Sequence, residues 1–81
     1  MVGLPVRLAD PDTVAVLRPG DRIDLLAAPP SGGSPQTVAT RALTLAVAPG
    51  GVLYLAVTPT EARRHATLPA GTTLTAVVSP P

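Results

Sequence analysis

The most constraining feature of this chain is a period-two alternation of apolar side chains that restarts between proline- and glycine-rich breaks. From Arg22 to Ala28, one face holds Ile23, Leu25 and Ala27, and the other holds Arg22, Asp24 and Leu26. Val52 to Thr58 sets Leu53, Leu55 and Val57 against Tyr54 and Thr58. Thr72 to Ser79 sets Leu74, Ala76 and Val78 against Thr73, Thr75 and Val77. Successive side chains of an extended strand point to opposite faces, so each run reads as a half-buried strand. Val6 and Leu8, alternating with Pro5 and Arg7, predict a shorter first strand. The enrichment in valine and threonine fits the same reading.

Thr37 to Ala48 is longer than an average strand. Leu43, Leu45 and Val47 form an inward row, and extending it backwards buries Arg41. A bulge or break near Arg41-Ala42 is therefore expected, because it returns Arg41 to solvent. The segment is then two strands, or one that bends between two sheets.

Two stretches carry helix-start signals. Asp10-Pro11-Asp12 offers an N-cap, a proline at the first helical position and an acid in the first turn, ahead of Thr13 to Leu17. Pro19-Gly20 ends this short helix. Thr58-Pro59-Thr60-Glu61 has the form of a capping box, in which Thr58 and Glu61 cap each other's backbone N–H groups. Ala62 and Ala66 should then face the sheet, with Arg63 and Arg64 pointing away near the cation-favouring C-terminus. Pro69-Ala70-Gly71 stops the helix. Ala28 to Pro35 reads as a flexible hairpin connection, and Ala48 to Gly51 as a tighter turn.

The order is thus strand, short helix, strand, loop, long strand, turn, strand, helix, strand. Short connections imply mostly antiparallel neighbours. With 81 residues the chain forms one domain, residues 1–81, and its core is thin. That core is built without Phe, Trp or Cys, although 46% of the residues are apolar. A small aliphatic sheet buries one face best by curling. The expected fold is mainly β (α+β): a small, partly open β-barrel or strongly bent antiparallel sheet, with one short α-helix packed on it and a second helical turn.

Composition removes several function classes. The absence of cysteine excludes disulfide staples and thiolate metal sites. A net charge of +1 is too small for a nucleic-acid or anionic-membrane binder. Tyr54, the one aromatic residue, gives no base-stacking platform. No apolar run approaches the ~20 residues of a membrane-spanning helix. Met1 to Pro5 lacks the basic region and apolar stretch of a signal peptide.

The reactive side chains each have a plainer structural reading. His65 can change charge near neutral pH, but no motif supplies the acid and nucleophile of a triad, so it reads as a surface or boundary residue. Asp21 and Asp24 point to opposite faces if both lie on a strand. Asp21 then closes a turn, and Asp24 is solvated or paired with an arginine. Asp10 and Asp12 lack the remaining oxygen ligands of a calcium loop and read as helix capping. Arg7, Arg18, Arg22 and Arg41 would form an anion-binding patch if they shared one sheet face; solvated faces are the simpler account. Gly32-Gly33 and Gly50-Gly51 open no helix and read as turns. No catalytic, cofactor-binding or metal-ligating residue is assigned, and no cofactor is expected.

Three stretches together resemble a known family. They are Val14 to Leu26, with its short helix followed by Pro19-Gly20-Asp21-Arg22-Ile23-Asp24-Leu25-Leu26; the strand Ala42 to Val47; and Leu53 to Ala62, a strand running into Thr58-Pro59-Thr60-Glu61-Ala62. In order and spacing they are similar to the C-terminal RcpC/CpaB domain of Flp/Tad pilus assembly proteins, which is associated with SAF domains. The similarity runs from about Pro5 to Ser79, and His65 stands where that family's helix would hold an aliphatic residue. By this resemblance, the domain would be tethered through a segment not in this chain, where the family's SAF domain and membrane anchor would lie. The resemblance implies a non-catalytic interaction or scaffold module of the Flp/Tad (type IVb) pilus machinery. It would be extracytoplasmic, in the periplasm or at the cell surface. Implied partners are other pilus assembly subunits or a second copy. The alternative it raises is a SAF-like module that binds cell-wall glycan. The matched positions are turns, caps and core, so the resemblance carries over no binding residue.

Overall fold

The computed structural model describes residues 1–78. They form β1 (Val2–Arg7), α1 (Pro11–Val16), β2 (Arg22–Ala28), β3 (Gln36–Ala48), β4 (Val52–Val57), α2 (Pro59–Ala66) and β5 (Thr73–Val78). The fold is a small α+β domain: an open five-stranded antiparallel sheet, in the order β1-β4-β3-β2-β5, with two short helices. The sheet curls strongly. Its two edges touch at one end, where the Ala9 N–H donates to the Leu74 carbonyl at 3.0 Å.

The alternation predicted for β2 and β4 holds. Ile23, Leu25, Leu53, Leu55 and Val57 are fully buried, joined by Ala27, Val6 and Leu8. On β5, Leu74 and Ala76 face the core but Val78 does not pack there and is 50% exposed. The Ser79 end of the predicted strand lies outside the described residues.

On β3 the expected inward row holds only at Val47, which packs against the core. Leu45 is 48% exposed and Leu43 only half-buried, whereas Ala42 and Thr44 are buried. Bulges cause the change. Ile23 pairs with Ala42 and Leu25 with Ala39, so β3 spends three residues where β2 spends two. The extra residue falls at Thr40-Arg41, and Arg41 takes a positive φ of 51°. A second irregularity, between Leu25 and Leu26, leaves Val38 and Ala39 both buried, though they are neighbours in sequence. A third sets Leu45 outside the pairing with β4. Each bulge shifts the side-chain parity by one. The bulge expected near Arg41 is present, and Arg41 is exposed. The segment is one strand of one sheet: it pairs with β2 up to Leu43 and with β4 from Leu43 onward.

The corrected parity puts a hydroxyl in the core. Thr44 is 1% exposed, and its Oγ1 has no hydrogen-bond partner among the described residues. Its backbone is satisfied by the turn before β2, through Gly20 N–H and the Asp21 carbonyl, both at 2.8 Å. Thr44→Val keeps the shape and removes the unsatisfied hydroxyl. It is expected to raise stability by about 1 kcal/mol in a urea titration. An unchanged or lower midpoint would mean that the hydroxyl has a partner, such as a buried water.

Both helix starts form as the sequence predicts. The Asp10 carboxylate accepts the Asp12 N–H and the Thr13 hydroxyl, capping α1. Thr58 and Glu61 make both halves of the capping box on α2. The buried side of α2 differs from expectation. Ala62 packs on the core, as does Leu68 beyond the helix, but Ala66 is exposed and His65 is half-buried. The helix ends at Ala66, so its last residue lies beyond the sheet surface that Ala62 covers.

Candidate interaction surface

The carboxylates of Asp10, Asp21, Asp24 and Glu61 are engaged with the backbone. Asp21 Oδ2 accepts the Arg18 N–H at 2.9 Å and closes the turn into β2. Asp24 Oδ1 accepts the Arg41 N–H at 2.8 Å, which fastens the bulge of β3 to β2; it is thus more than a solvated surface acid. Glu61 reaches across elements, accepting the Thr58 N–H at 2.9 Å and the Thr40 N–H at 3.0 Å. Both N–H groups of the Thr40-Arg41 bulge are therefore held by acids from neighbouring elements. Burial raises the Glu61 pKa, but the N–H bonds from Thr58 and Thr40, the Thr58 hydroxyl and the Arg64 charge outweigh it. The carboxyl is held below its ordinary value.

Of the arginines, the structure brings Arg22 and Arg41 together: Arg22 Nη1 donates to the Arg41 carbonyl at 3.3 Å. Arg64, expected to point away from the sheet, reaches back and donates to the Val38 carbonyl at 3.3 Å. No group of three His, Asp or Glu side chains converges among the described residues. No helix among them is long and apolar enough to cross a membrane.

Two hollows open on the surface. One, of about 180 Å³, lies between Ala27, Pro29, Gln36 and the Leu68-Pro69 segment. Thr72 lines it, but the Thr72 hydroxyl already donates to the Pro69 carbonyl at 2.6 Å. The other, of about 380 Å³, lies between α1 and the β3–β4 turn and is lined by aliphatic side chains, proline and glycine. The backbone at Gly51 favours glycine through its conformation rather than through crowding. Its φ is +82°, and a Cβ would sit 3.5 Å from the Leu8 carbonyl oxygen and from Pro11. Tyr54 lines neither hollow. Instead it stands 42% exposed on the outer face of the sheet, opposite Pro5 of β1. Leu45 lies on the same side, with its Cδ1 4.0 Å from where a Cβ on Gly3 would be.

The edge strands differ in what they offer. The Leu8 N–H donates to the Gly51 carbonyl at 2.9 Å, which makes Leu8 and Gly51 a hydrogen-bonded pair. By alternation Val6, Leu4 and Val2 also bond to β4, and Gly3, Pro5 and Arg7 turn their backbone groups outward. Pro5 has no N–H, so the free edge of β1 is interrupted at its middle. On β5 the Leu74 carbonyl points outward to Ala9, so Ala76 and Val78 also turn outward, away from β2. Sequence pattern located β5 and only the second half of β1, which starts at Val2 and ends before Leu8; it did not show which groups faced out, because that depends on the pairing partner. No family model, curated protein or solved structure matches the chain.

Proposed function

We propose that the chain is a non-catalytic interaction module of a Flp/Tad pilus assembly protein, acting outside the cytoplasmic membrane. The observation that supports this most is the use of its acids. Asp10, Asp21, Asp24 and Glu61 each hold backbone N–H groups, so they serve turns, caps and a bulge. Beside its exposed arginines, the surface presents aliphatic side chains such as Val16, Leu45 and Val77, together with Tyr54 and the strand edges. Such a surface recognises proteins through shape and backbone pairing. The residues that carry the family resemblance lie on α1 and β2, on β3, and on β4 and α2.

The test is cross-linking in cells that carry the pilus system, with the chain tagged at its C-terminus and mass spectrometry of what it captures. Recovery of pilus assembly components, lost when Tyr54 and Leu45 are both changed to serine or the β5 edge is altered, supports the reading. Recovery of no pilus component overturns it.

A further inference from the structure

We infer that β5 is a self-pairing edge, and that two copies of this chain join their sheets antiparallel across it. This deepens the interaction-module reading by naming the surface and the partner. Three observations carry it. The outward backbone groups of Ala76 and Val78 have no partner among the described residues, whereas the outward group of Leu74 is taken by Ala9. Unpaired N–H and C=O groups on an edge are a template for another strand. Next, β5 has none of the usual guards of an edge. Its sequence, Thr-Leu-Thr-Ala-Val-Val, holds no charge, no proline and no bulge. The opposite edge carries Pro5 and Arg7. Finally, Val77 and Val78 are 48% and 50% exposed at the same place.

A second copy is the occupant that fits this spacing. About a two-fold axis at Val77, Ala76 of each copy faces Val78 of the other, and each such pair exchanges both N–H···O bonds. The Val77 side chains then meet directly across the axis on the outer face, in the close geometry of a non-hydrogen-bonded pair. Neutral, self-complementary strands make this contact without charge repulsion.

The test is sedimentation velocity of the whole chain from micromolar to millimolar concentration, with the fold checked by far-UV circular dichroism. Val77→Lys brings two ammonium groups together at the axis and leaves the core face untouched. Ala76→Pro removes an outward N–H, as Pro5 does on β1. The wild-type chain is expected to dimerise with rising concentration, and each variant to weaken this by about tenfold or more. If Ala76→Pro fails to fold, Val77→Lys decides alone. A wild-type chain that stays monomeric at millimolar concentration overturns the inference, as does a dimer that Val77→Lys leaves unweakened. The outcomes separate from those of the cellular cross-linking. A dimer without captured pilus components removes the pilus reading alone, and captured components with a monomeric chain remove the β5 pairing alone.

Discussion

Leu55→Ala is expected to cost about 2–5 kcal/mol of folding stability, whereas Leu45→Ala should cost less than about 1 kcal/mol. The two leucines sit on adjacent strands and look equivalent in the sequence. Leu55 is fully buried between the curled halves of the sheet, and Leu45 is 48% exposed on its outer face. Truncating Leu55 loses transfer free energy and leaves a void lined by other aliphatic residues. The core has no aromatic ring to swing into such a space, and β-branched neighbours such as Ile23 and Val57 are stiff at χ1. Small domains hold roughly 5–15 kcal/mol in total, so the Leu55 change removes a large share of it. Urea titrations of both variants measure the contrast. Equal losses would mean that β3 keeps the simple alternation and that Leu45 is a core residue.

The contrast also shows what the sequence could and could not reveal. Period-two patterning located β2 and β4 and their buried faces, because both strands alternate regularly, with the small Ala56 of β4 the one buried residue out of phase. The start of each helix was legible because capping is local: Asp10 and Thr58 act on N–H groups two or three residues away. The inner face of β3 was not legible. The need to keep Arg41 out of the core announced one bulge, but nothing in the local pattern announced those beside Val38 and Leu45. Their positions are set by the strands on either side, since β3 changes partner from β2 to β4 at Leu43. The role of Glu61 was half-legible. Its bond to Thr58 follows from spacing, and its bond to Thr40 follows only from the docking of α2 over the bulge.

That second bond makes Glu61 a tie between α2 and the β3 bulge as well as a cap. Glu61→Ala is expected to cost about 1–3 kcal/mol, because it removes a cap and leaves the Thr58 and Thr40 N–H groups without their acceptor. Glu61→Gln should fall between, since its amide has one acceptor oxygen in place of two. Thr58→Ala serves as the control. It breaks the other half of the capping box and keeps the Glu61 side chain for Thr40, so it should cost only about 1 kcal/mol. The acid behaviour follows from the same contacts. The folded-state pKa of Glu61 lies below its unfolded value, so the group binds its proton more readily in the unfolded chain. Its stabilisation is complete above the ordinary carboxylate range and declines as pH falls through the lowered folded pKa. Wild-type stability should therefore fall on acidification, and part of that fall should vanish in Glu61→Gln, whose side chain does not titrate. Thermal melts of both proteins from neutral pH downward measure it. Parallel acid branches for the two proteins would show that Glu61 does not hold α2 to the bulge through its charge. Because α2 meets the sheet through Ala62 and few other apolar contacts, loss of this carboxylate should also loosen the helix before the sheet unfolds. Amide exchange at Thr40 and Thr58 would then quicken at acid pH, ahead of exchange at Leu25 and Leu55.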